Sequence, residues 1–339
     1  MSIRLRPHCP ADDAAWDAFV AAHPKGTLYH ARGFHDAVQE AFGAPSHGLI
    51  AENECGDIVG LMPLIRQRSR LFGDRLVSLP YANHGGPLAE DPSVALELFN
   101  AAGALQQELG CQQVEVRDLE SRELHWHVHT DKVLMTLALP ETPELLGNAL
   151  GAKMRSQCRR ALKEGAEVVH GGVELVPEFY RVFATNMRDL GTPVYPRRWF
   201  NVLASHLGDA IHLVVVRLRG EPVAGAVLVQ WKNTLEIPWA SSHRDFNRFA
   251  VNMLLYRSAL DFAIRTGCRD FDFGRSTRGS GPHKFKRQWG AEESAIYWRM
   301  HPRSAGAGRT SDLVRAIWKR LPLPLANSIG PLLSPSLPW

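Results

Sequence analysis

The chain repeats itself, and the repetition limits the folds open to it. His47–Glu52 (HGLIAE) and Gly56–Leu61 (GDIVGL) recur as His212–Arg217 (HLVVVR) and Glu221–Ala226 (EPVAGA), both at an offset of 165 residues. Each copy reads as a strand, a tight polar turn and a second strand. Farther on, Leu109-Gly110-Cys111 followed by Val114–Asp118 (VEVRD) recurs as Thr266-Gly267-Cys268 followed by Phe271–Arg275 (FDFGR), both at an offset of 157 residues. An Ala- and Leu-rich stretch with helical spacing precedes each glycine (93–109 and 251–266), and the glycine stands where a helix C-cap belongs. Each half is then hairpin, helix, strand. Two sets of matches at nearly equal offsets indicate a duplicated unit. The fold class expected is α/β with mixed sheets, in two tandem domains.

At 339 residues the chain also exceeds what one core ordinarily serves. With 45% hydrophobic and 22% charged residues it has the composition of a soluble globular protein. A net charge of +4 does not by itself call for nucleic acid, so an anion-binding patch has to be local. The opening MSIRLRPHCPADDAAWDAF has no apolar signal core, and no apolar run reaches the roughly 18 residues of a spanning helix. The expected location is cytoplasmic. Cys9, Cys55, Cys111, Cys158 and Cys268 are scattered without a CxxC pair, and read as buried, reduced thiols. His125, His127 and His129 alternate along a possible strand but lack a Cys, Asp or Glu partner at ligand spacing, so no metal is expected.

The second half carries the chemistry. His212–Arg217 is a near-continuous apolar run, as a strand buried on both faces should be. In Phe271–Gly290 (FDFGRSTRGSGPHKFKRQWG) a short strand runs into Gly274-Arg275-Ser276, a Gly-rich loop follows, and Lys284, Phe285, Lys286 and Arg287 arrive together. Cations on such a loop suit an anionic or oxyanion-forming substrate, and equally a solvated basic loop. Phe271 and Phe273 share one face of the strand and Asp272 takes the other. A mid-strand carboxylate either pairs with a nearby Arg or Lys or faces a cleft.

A basic helix is expected over 150–164. Leu150, Met154, Cys158, Ala161 and Leu162 form its apolar face, and Lys153, Arg155, Arg159, Arg160 and Lys163 cover the other. That face is either simply solvated or holds an anionic partner. The loop 190–200 (LGTPVYPRRWF) leads into a further helix, and Arg197 and Arg198 near its start do not complement the dipole. They reach a bound phosphate or are ordinary exposed arginines. In the tail, Thr310 or Ser311 is expected to cap a helix over 312–321. Its apolar face is Leu313, Val314, Ile317, Trp318 and Leu321, with Arg315, Lys319 and Arg320 on the charged side, before an apolar, Pro-rich trailer. This segment, 311–339, either lies peripherally on an anionic membrane surface or docks on the protein's own core.

Taken in order, the basic helix, the GTPVYPRRWF loop, the two-strand meander, the helix, FDFGRS and HKFKRQWG resemble the FemAB-like proteins of the GNAT acyltransferase superfamily. They are particularly similar to those associated with exosortase/PEP-CTERM systems. The resemblance covers roughly residues 1–300 and is most specific over 185–290. It implies a GNAT-like domain over 1–145, a second over 146–300 that carries the basic helix and the FDFGRS/HKFK segment, and a tail over 301–339. It further implies an enzyme that transfers an aminoacyl group from aminoacyl-tRNA to an amine of a cell-wall peptide precursor. Phe285-Lys286 matches the family's Phe-Lys, whose lysine steadies the reacting ester or the tetrahedral oxyanion. Arg197 or Arg198 matches an arginine that grips precursor phosphate. The first-domain lysine that helps hold this phosphate has no counterpart in Tyr29–His35 (YHARGFH).

The residues permit that chemistry. Aminolysis of an activated acyl group needs orientation, a deprotonated amine and an oxyanion donor, and no covalent intermediate. Lys286 is the oxyanion candidate, and Asp272 or His283 the acceptor of the amine proton. Arg197, Arg198, Tyr256, Arg275, Ser276, Lys284 and Phe285 are candidate substrate contacts; Arg155, Arg159 and Arg160 are candidate donor or anion contacts. Tyr256 is equally a core aromatic and Ser276 a turn former. No resident cofactor is expected: the donor, aminoacyl-tRNA or acyl-CoA, is a co-substrate. Against the CoA donor, the segment Arg244–Ala250 (RDFNRFA) lacks the glycines of a backbone pyrophosphate site. The alternatives are acyl-CoA-dependent acylation in exopolysaccharide synthesis, and a non-catalytic binding module of the same fold.

Overall fold

The computed structural model describes residues 3–69, 73–302 and 312–337. The chain divides into two compact units, 1–133 with 294–309 and 335–339, and 134–293 with 310–334. The first holds strands β1 (Arg4–Pro7), β2 (Leu49–Glu52), β3 (Ile58–Met62), β4 (Ile65–Ser69), β5 (Gly73–Val77), β6 (Leu88–Ala89), β7 (Gln113–Asp118) and β8 (His127–His129), and helices α1 (Asp13–Ala22), α2 (Arg32–Phe42) and α3 (Pro92–Glu108). The second opens with β9 (Lys132–Ala138), α4 (Pro143–Ala149), α5 (Ala152–Lys163), β10 (Ala166–Gly171), α6 (Val176–Leu190) and α7 (Arg197–Leu207). It continues with β11 (Ile211–Leu218), β12 (Glu221–Trp231), β13 (Thr234–Ser242), α8 (Val251–Arg265), β14 (Asp270–Thr277), α9 (Gly281–Gln288) and β15 (Glu292–Ala295). Strand β16 (Tyr297–His301) then pairs with β7 and β8 in the first unit, and α10 (Asp312–Lys319) and α11 (Leu323–Leu333) pack on α6 in the second. The units are therefore not the simple halves at 145 and 300 that the sequence suggests.

The duplication is visible bond for bond. Helix α3 ends with Gly110 N–H donating to Gln107 O (3.1 Å) and Cys111 N–H to Gln106 O (3.0 Å); α8 ends with Gly267 N–H donating to Ile264 O (3.1 Å) and Cys268 N–H to Ala263 O (2.9 Å). Gly110 and Gly267 take φ of +64° and +79°, the left-handed cap that a side chain would strain. Each copy then returns as a strand parallel to the one before its helix. The register is Arg75↔Gln113, Leu76↔Val114, Val77↔Glu115 in one and Thr234↔Asp270, Leu235↔Phe271, Glu236↔Asp272 in the other.

The copies differ in how the sheet closes. In the second unit one sheet of seven strands runs β10-β11-β12-β13-β14-β9-β15, whereas in the first the strands split into β1-β2-β3-β6 and β4-β5-β7-β16-β8. The repeat keeps two close-packed glycines but not the helices over them, α3 in the first unit and α6 in the second. Gly60 in β3 and Gly225 in β12, matched at offset 165, each lie under a helix. A Cβ on Gly60 would stand 2.7 Å from Val94 Cγ1 and 3.2 Å from the Leu88 carbonyl; one on Gly225 would stand 3.3 Å from Phe179 Cδ2.

Two readings of the sequence are corrected. Cys9 and Cys55 are exposed, and only Cys111, Cys158 and Cys268 are buried. Leu162 is 53% exposed, although Leu150, Met154, Cys158 and Ala161 are buried as expected. The Pro-rich trailer contains a helix, Leu323–Leu333, with Pro324 in its first turn, where no N–H is needed. The expected cap at Thr310 or Ser311 lies outside the described residues. Replacing Gly60 by valine should overpack β3 against α3 and lower stability by about 1–3 kcal/mol, read as a reduced midpoint in denaturant unfolding. An unchanged midpoint would show that this approach is not tight.

Candidate functional site

Parallel strands β13 and β14 stay paired for three residues and then separate, and the point of separation is Glu236 beside Asp272. Both carboxylates are buried, at 7% and 5% exposure. Just beyond, Gly274 adopts φ +72° inside β14, which turns the strand and frees its carbonyl. Helix α9, capped by Ser280 Oγ on the His283 N–H (3.3 Å), delivers Lys286 to this spot. Its ammonium, on a residue 7% exposed, donates to Gly274 O (3.0 Å) and Arg275 O (2.9 Å). The segment 281–288 read as a basic loop is thus a helix, and its buried lysine clamps the strand where it parts from its neighbour.

Aromatic rings lock α9 in place. Tyr256 of α8 stacks on Phe273 (centroids 5.9 Å apart) and on Trp289 (6.4 Å), and Phe285 meets Tyr256 edge-on at 4.8 Å. Phe271 and Phe273 share a face, as alternation requires, with centroids 4.8 Å apart. Two buried polar atoms here have no partner, Ser276 Oγ and Trp289 Nε1. A buried donor without a partner is costly and is often a place where a ligand or water binds.

The charges are held against their preference. Burial raises the Asp272 carboxyl, opposed by the Gly274 N–H that it accepts at 2.7 Å and by the Lys286 charge. Burial lowers the Lys286 ammonium to about 8, opposed by Asp272 and Glu236 and assisted by Arg275. Tyr256 is pushed up to about 12 by burial alone. A lysine and a carboxylate displaced toward neutrality in one buried cluster are a common mark of a functional site. An ammonium has three donors, and two of those of Lys286 are spent on the backbone, so one remains for a carboxylate or a substrate oxygen.

The structure brings Lys286, Asp272, Tyr256, Arg275, Ser276 and Phe285 together on β14, α8 and α9. It adds Glu236, which the sequence reading missed. Glu236 lies in the apolar-looking TLEIPW, and a charged residue at one position of an otherwise buried strand is the signal that would have found it. His283 is buried and committed to Glu293, Nε2 to Oε2 at 2.8 Å. Lys284 is exposed, as are Arg197 and Arg198, which open α7 on a different part of the unit. Arg155 and Arg159 line a cavity bounded by α4, α5, α8 and β10, while Arg160 is exposed outside it.

The first unit has the corresponding strand pair but closes it. Past Val77↔Glu115, the Ser78 N–H donates to Glu115 O (2.8 Å) and Ser78 Oγ accepts from the Arg117 N–H (2.9 Å). The Glu115 carboxylate takes the Arg117 guanidinium at 2.8 Å. There the chain's own backbone and an arginine occupy the place that Lys286 bridges in the second unit.

Residues 152–287, which contain Glu236, Asp272 and Lys286, match the model of the acetyltransferase (GNAT) domain. A search of curated proteins found no match. Among solved structures the chain resembles FemX (TM-score 0.65, 14% identity, 88% of this chain and 97% of that one). It also resembles the C-terminal domain of a protein assigned as a lysylphosphatidylglycerol synthetase from Agrobacterium fabrum (0.58, 14%, 88% and 94%). A third is a tandem GNAT protein from the clavulanic acid pathway (0.54, 12%, 91% and 100%). At these identities the likeness shows the fold. The chain has the GNAT fold, and the segment that matches the acetyltransferase domain lies in the second unit.

Two outcomes follow for the cluster. Lys286→Ala removes the clamp and strands two carbonyls and a buried carboxylate. We expect a loss of about 3 kcal/mol in denaturant unfolding, and no loss would contradict the buried bonds. For Asp272, whose folded pKa is raised from 3.8 to about 6, the folded chain binds the extra proton between those values. Its contribution to stability is therefore present below about pH 4 and falls as pH rises to about 6. Asp272→Asn keeps an oxygen for the Gly274 N–H and removes the titration. The stability of wild type relative to this variant should decline across that window, and a pH-independent difference would refute the buried charge.

Proposed function

We propose that the protein transfers an acyl or aminoacyl group to an amine of a cell-envelope precursor by direct aminolysis at the Lys286 cluster. The observation that carries the reading is the buried group of Lys286, Asp272 and Glu236 where β13 and β14 part, inside the segment that matches the acetyltransferase domain. In this reading the free N–H of Lys286 steadies the negative charge forming on the carbonyl oxygen. The neutral amine forms the new N–C bond while Asp272 or Glu236 takes the proton it loses; the acyl–oxygen or acyl–sulfur bond to the donor breaks and that proton passes to the departing hydroxyl or thiol, and Ser276 Oγ offers a further hydrogen bond to the substrate. His283, held by Glu293, positions α9 and takes no proton.

Envelope chemistry is supported by the names of two proteins that share the fold, FemX and the lysylphosphatidylglycerol synthetase domain. An aminoacyl-tRNA donor, anion contacts at Arg155, Arg159 and Arg160, and phosphate contacts at Arg197 and Arg198 belong to the same proposal. A setting in exosortase-linked exopolysaccharide systems rests on the sequence resemblance alone. An acyl-CoA donor is the second reading, favoured by the acetyltransferase match. Against it, Ala250 stands at φ +58° before α8 where a glycine would be unstrained, and Arg248 lies over the Phe249 ring at 4.7 Å. Saturable heat on titrating CoA into the protein would select that donor.

The test is untargeted mass spectrometry of envelope precursors from cells with and without the protein, followed by turnover of the shifted species in vitro. Turnover should rise through about pH 6 as the carboxylate deprotonates and fall above about pH 8 as Lys286 loses its proton. Glu236→Gln and Asp272→Asn together should lower kcat by about 100-fold or more. No mass shift, or equal turnover in the double variant, would overturn the reading.

No helix among the described residues is long and apolar enough to cross a membrane. The tail docks through Trp318, 7% exposed, but leaves Ile317 and Leu332 at 55% and 78% exposure, with exposed Lys319 and Arg320 alongside. We place peripheral membrane contact there. Ile317→Glu with Leu332→Glu should abolish pelleting with anionic vesicles, and undiminished pelleting would remove the tail from the interface.

A further inference from the structure

Helix α8 presents two different faces. Tyr256 faces Phe273 and Trp289. Leu254 and Ser258 are each two residues away, about 200° around the helix, and so lie on the opposite side. There they help line a cavity of about 540 Å³ whose other walls come from α4, α5 and β10. The cavity is thus behind the Lys286 cluster, with α8 between them.

Its lining holds four arginines, Arg155, Arg159, Arg257 and Arg265, and two carboxylates, Glu144 and Asp261. The carboxylates are already engaged. Asp261 takes Arg257 Nε on both oxygens (2.8 and 2.9 Å), and Arg257 spends another donor on Pro143 O (2.8 Å). Glu144 sits in the first turn of α4, where its own backbone N–H and the Thr142 hydroxyl hold its carboxyl below the usual range. Arg155 gives one donor to Leu150 O. Arg159 and Arg265 have no hydrogen bond or ion pair with any described residue. Ser258 Oγ, on the same wall, is oriented by His170 Nε2 at 2.7 Å, and His170 Nδ1 is in turn fixed by His212 Nε2 at 3.1 Å.

The carboxylates of this cavity are therefore engaged by its own groups, and what is left open is guanidinium, the Asn148 amide and one positioned hydroxyl. Guanidinium forks match the oxygens of a phosphate in paired hydrogen bonds. A volume of about 540 Å³ is that of a small-molecule site, larger than a phosphate alone requires, so the phosphate carries a substituent. We propose that this cavity is a second ligand site, separate from the Lys286 cluster, that binds a phosphate-bearing small molecule through Arg155, Arg159 and Arg265 with Ser258 as a neutral donor. It gives Arg155 and Arg159 to this ligand in place of the tRNA-donor contact, and leaves the chemistry proposed at Lys286 as it stands.

The test is isothermal titration calorimetry of the full chain with inorganic pyrophosphate, adenosine diphosphate and glucose 1-phosphate. Saturable binding of at least one probe is expected, weakened tenfold or more in Arg159→Ala with Arg265→Ala. Both side chains are exposed and bond to nothing, so the variant keeps the wild-type fold, checked by its unfolding midpoint. Tighter binding of the diphosphate nucleotide assigns the site to nucleotides, and tighter binding of the sugar phosphate to sugar phosphates. Absence of saturable binding by all three at millimolar concentration, or equal affinity in the double variant, overturns the proposal. The readout is binding, so failure of the acyl-transfer reading leaves this test intact.

Discussion

The site depends on a sheet that stops pairing. Two parallel strands share three register positions and then part, so backbone groups past Asp272 lose the partners that a continuing ladder would give them. Lys286 supplies the replacement, two N–H donors to Gly274 and Arg275. That brings an ammonium into a buried place, which is tolerable only beside negative charge. Asp272 and Glu236, adjacent across the last paired step, provide it. The same atoms therefore hold the strand open and make the local electrostatics responsive near neutral pH. Structure and reactivity at Lys286 cannot be separated by truncating it, so isosteric changes at the carboxylates report on the chemistry more cleanly.

The duplication explains why only one unit carries this arrangement. Both copies have the helix cap, the return strand and the three-residue parallel register. In the first, Ser78 and Arg117 complete the bonds that the split leaves open, and Glu115 is neutralised at once. In the second, a strand bend at Gly274 and a separate short helix do that work with a side chain, which leaves Ser276 Oγ buried without a partner. One copy is filled by its own backbone and arginine, and the other keeps a buried hydroxyl without a partner.

Much of this could be read from residues. The repeat offsets located both hairpins, both α3- and α8-type helices and both return strands, because glycine caps and apolar runs are local signals. Asp272 stood out because charge inside an apolar strand pattern is unusual, and Lys286 because cations gather after a Gly-rich stretch and match the Phe-Lys of the family that the chain resembles. Three things were not legible. The basic segment 281–288 is a helix because Ser280 caps it and rings pack on it, a tertiary effect that its Gly-rich approach hides. Glu236 matters only through its cross-strand neighbour 36 positions away, which no local pattern encodes. The unit boundaries were missed because β16 pairs back with β7, and long-range strand exchange leaves no composition shift.

The central claim is that Lys286 is a buried, charge-compensated clamp whose ionisation lies near neutrality. Heteronuclear NMR titration of the lysine Nζ signals, with the Lys286 resonance assigned by its loss in Lys286→Arg, measures this directly. The Lys286 signal should titrate near 8, below the ordinary lysine value of about 10.4. A Lys286 resonance that titrates at that ordinary value would place its ammonium in water and contradict the account.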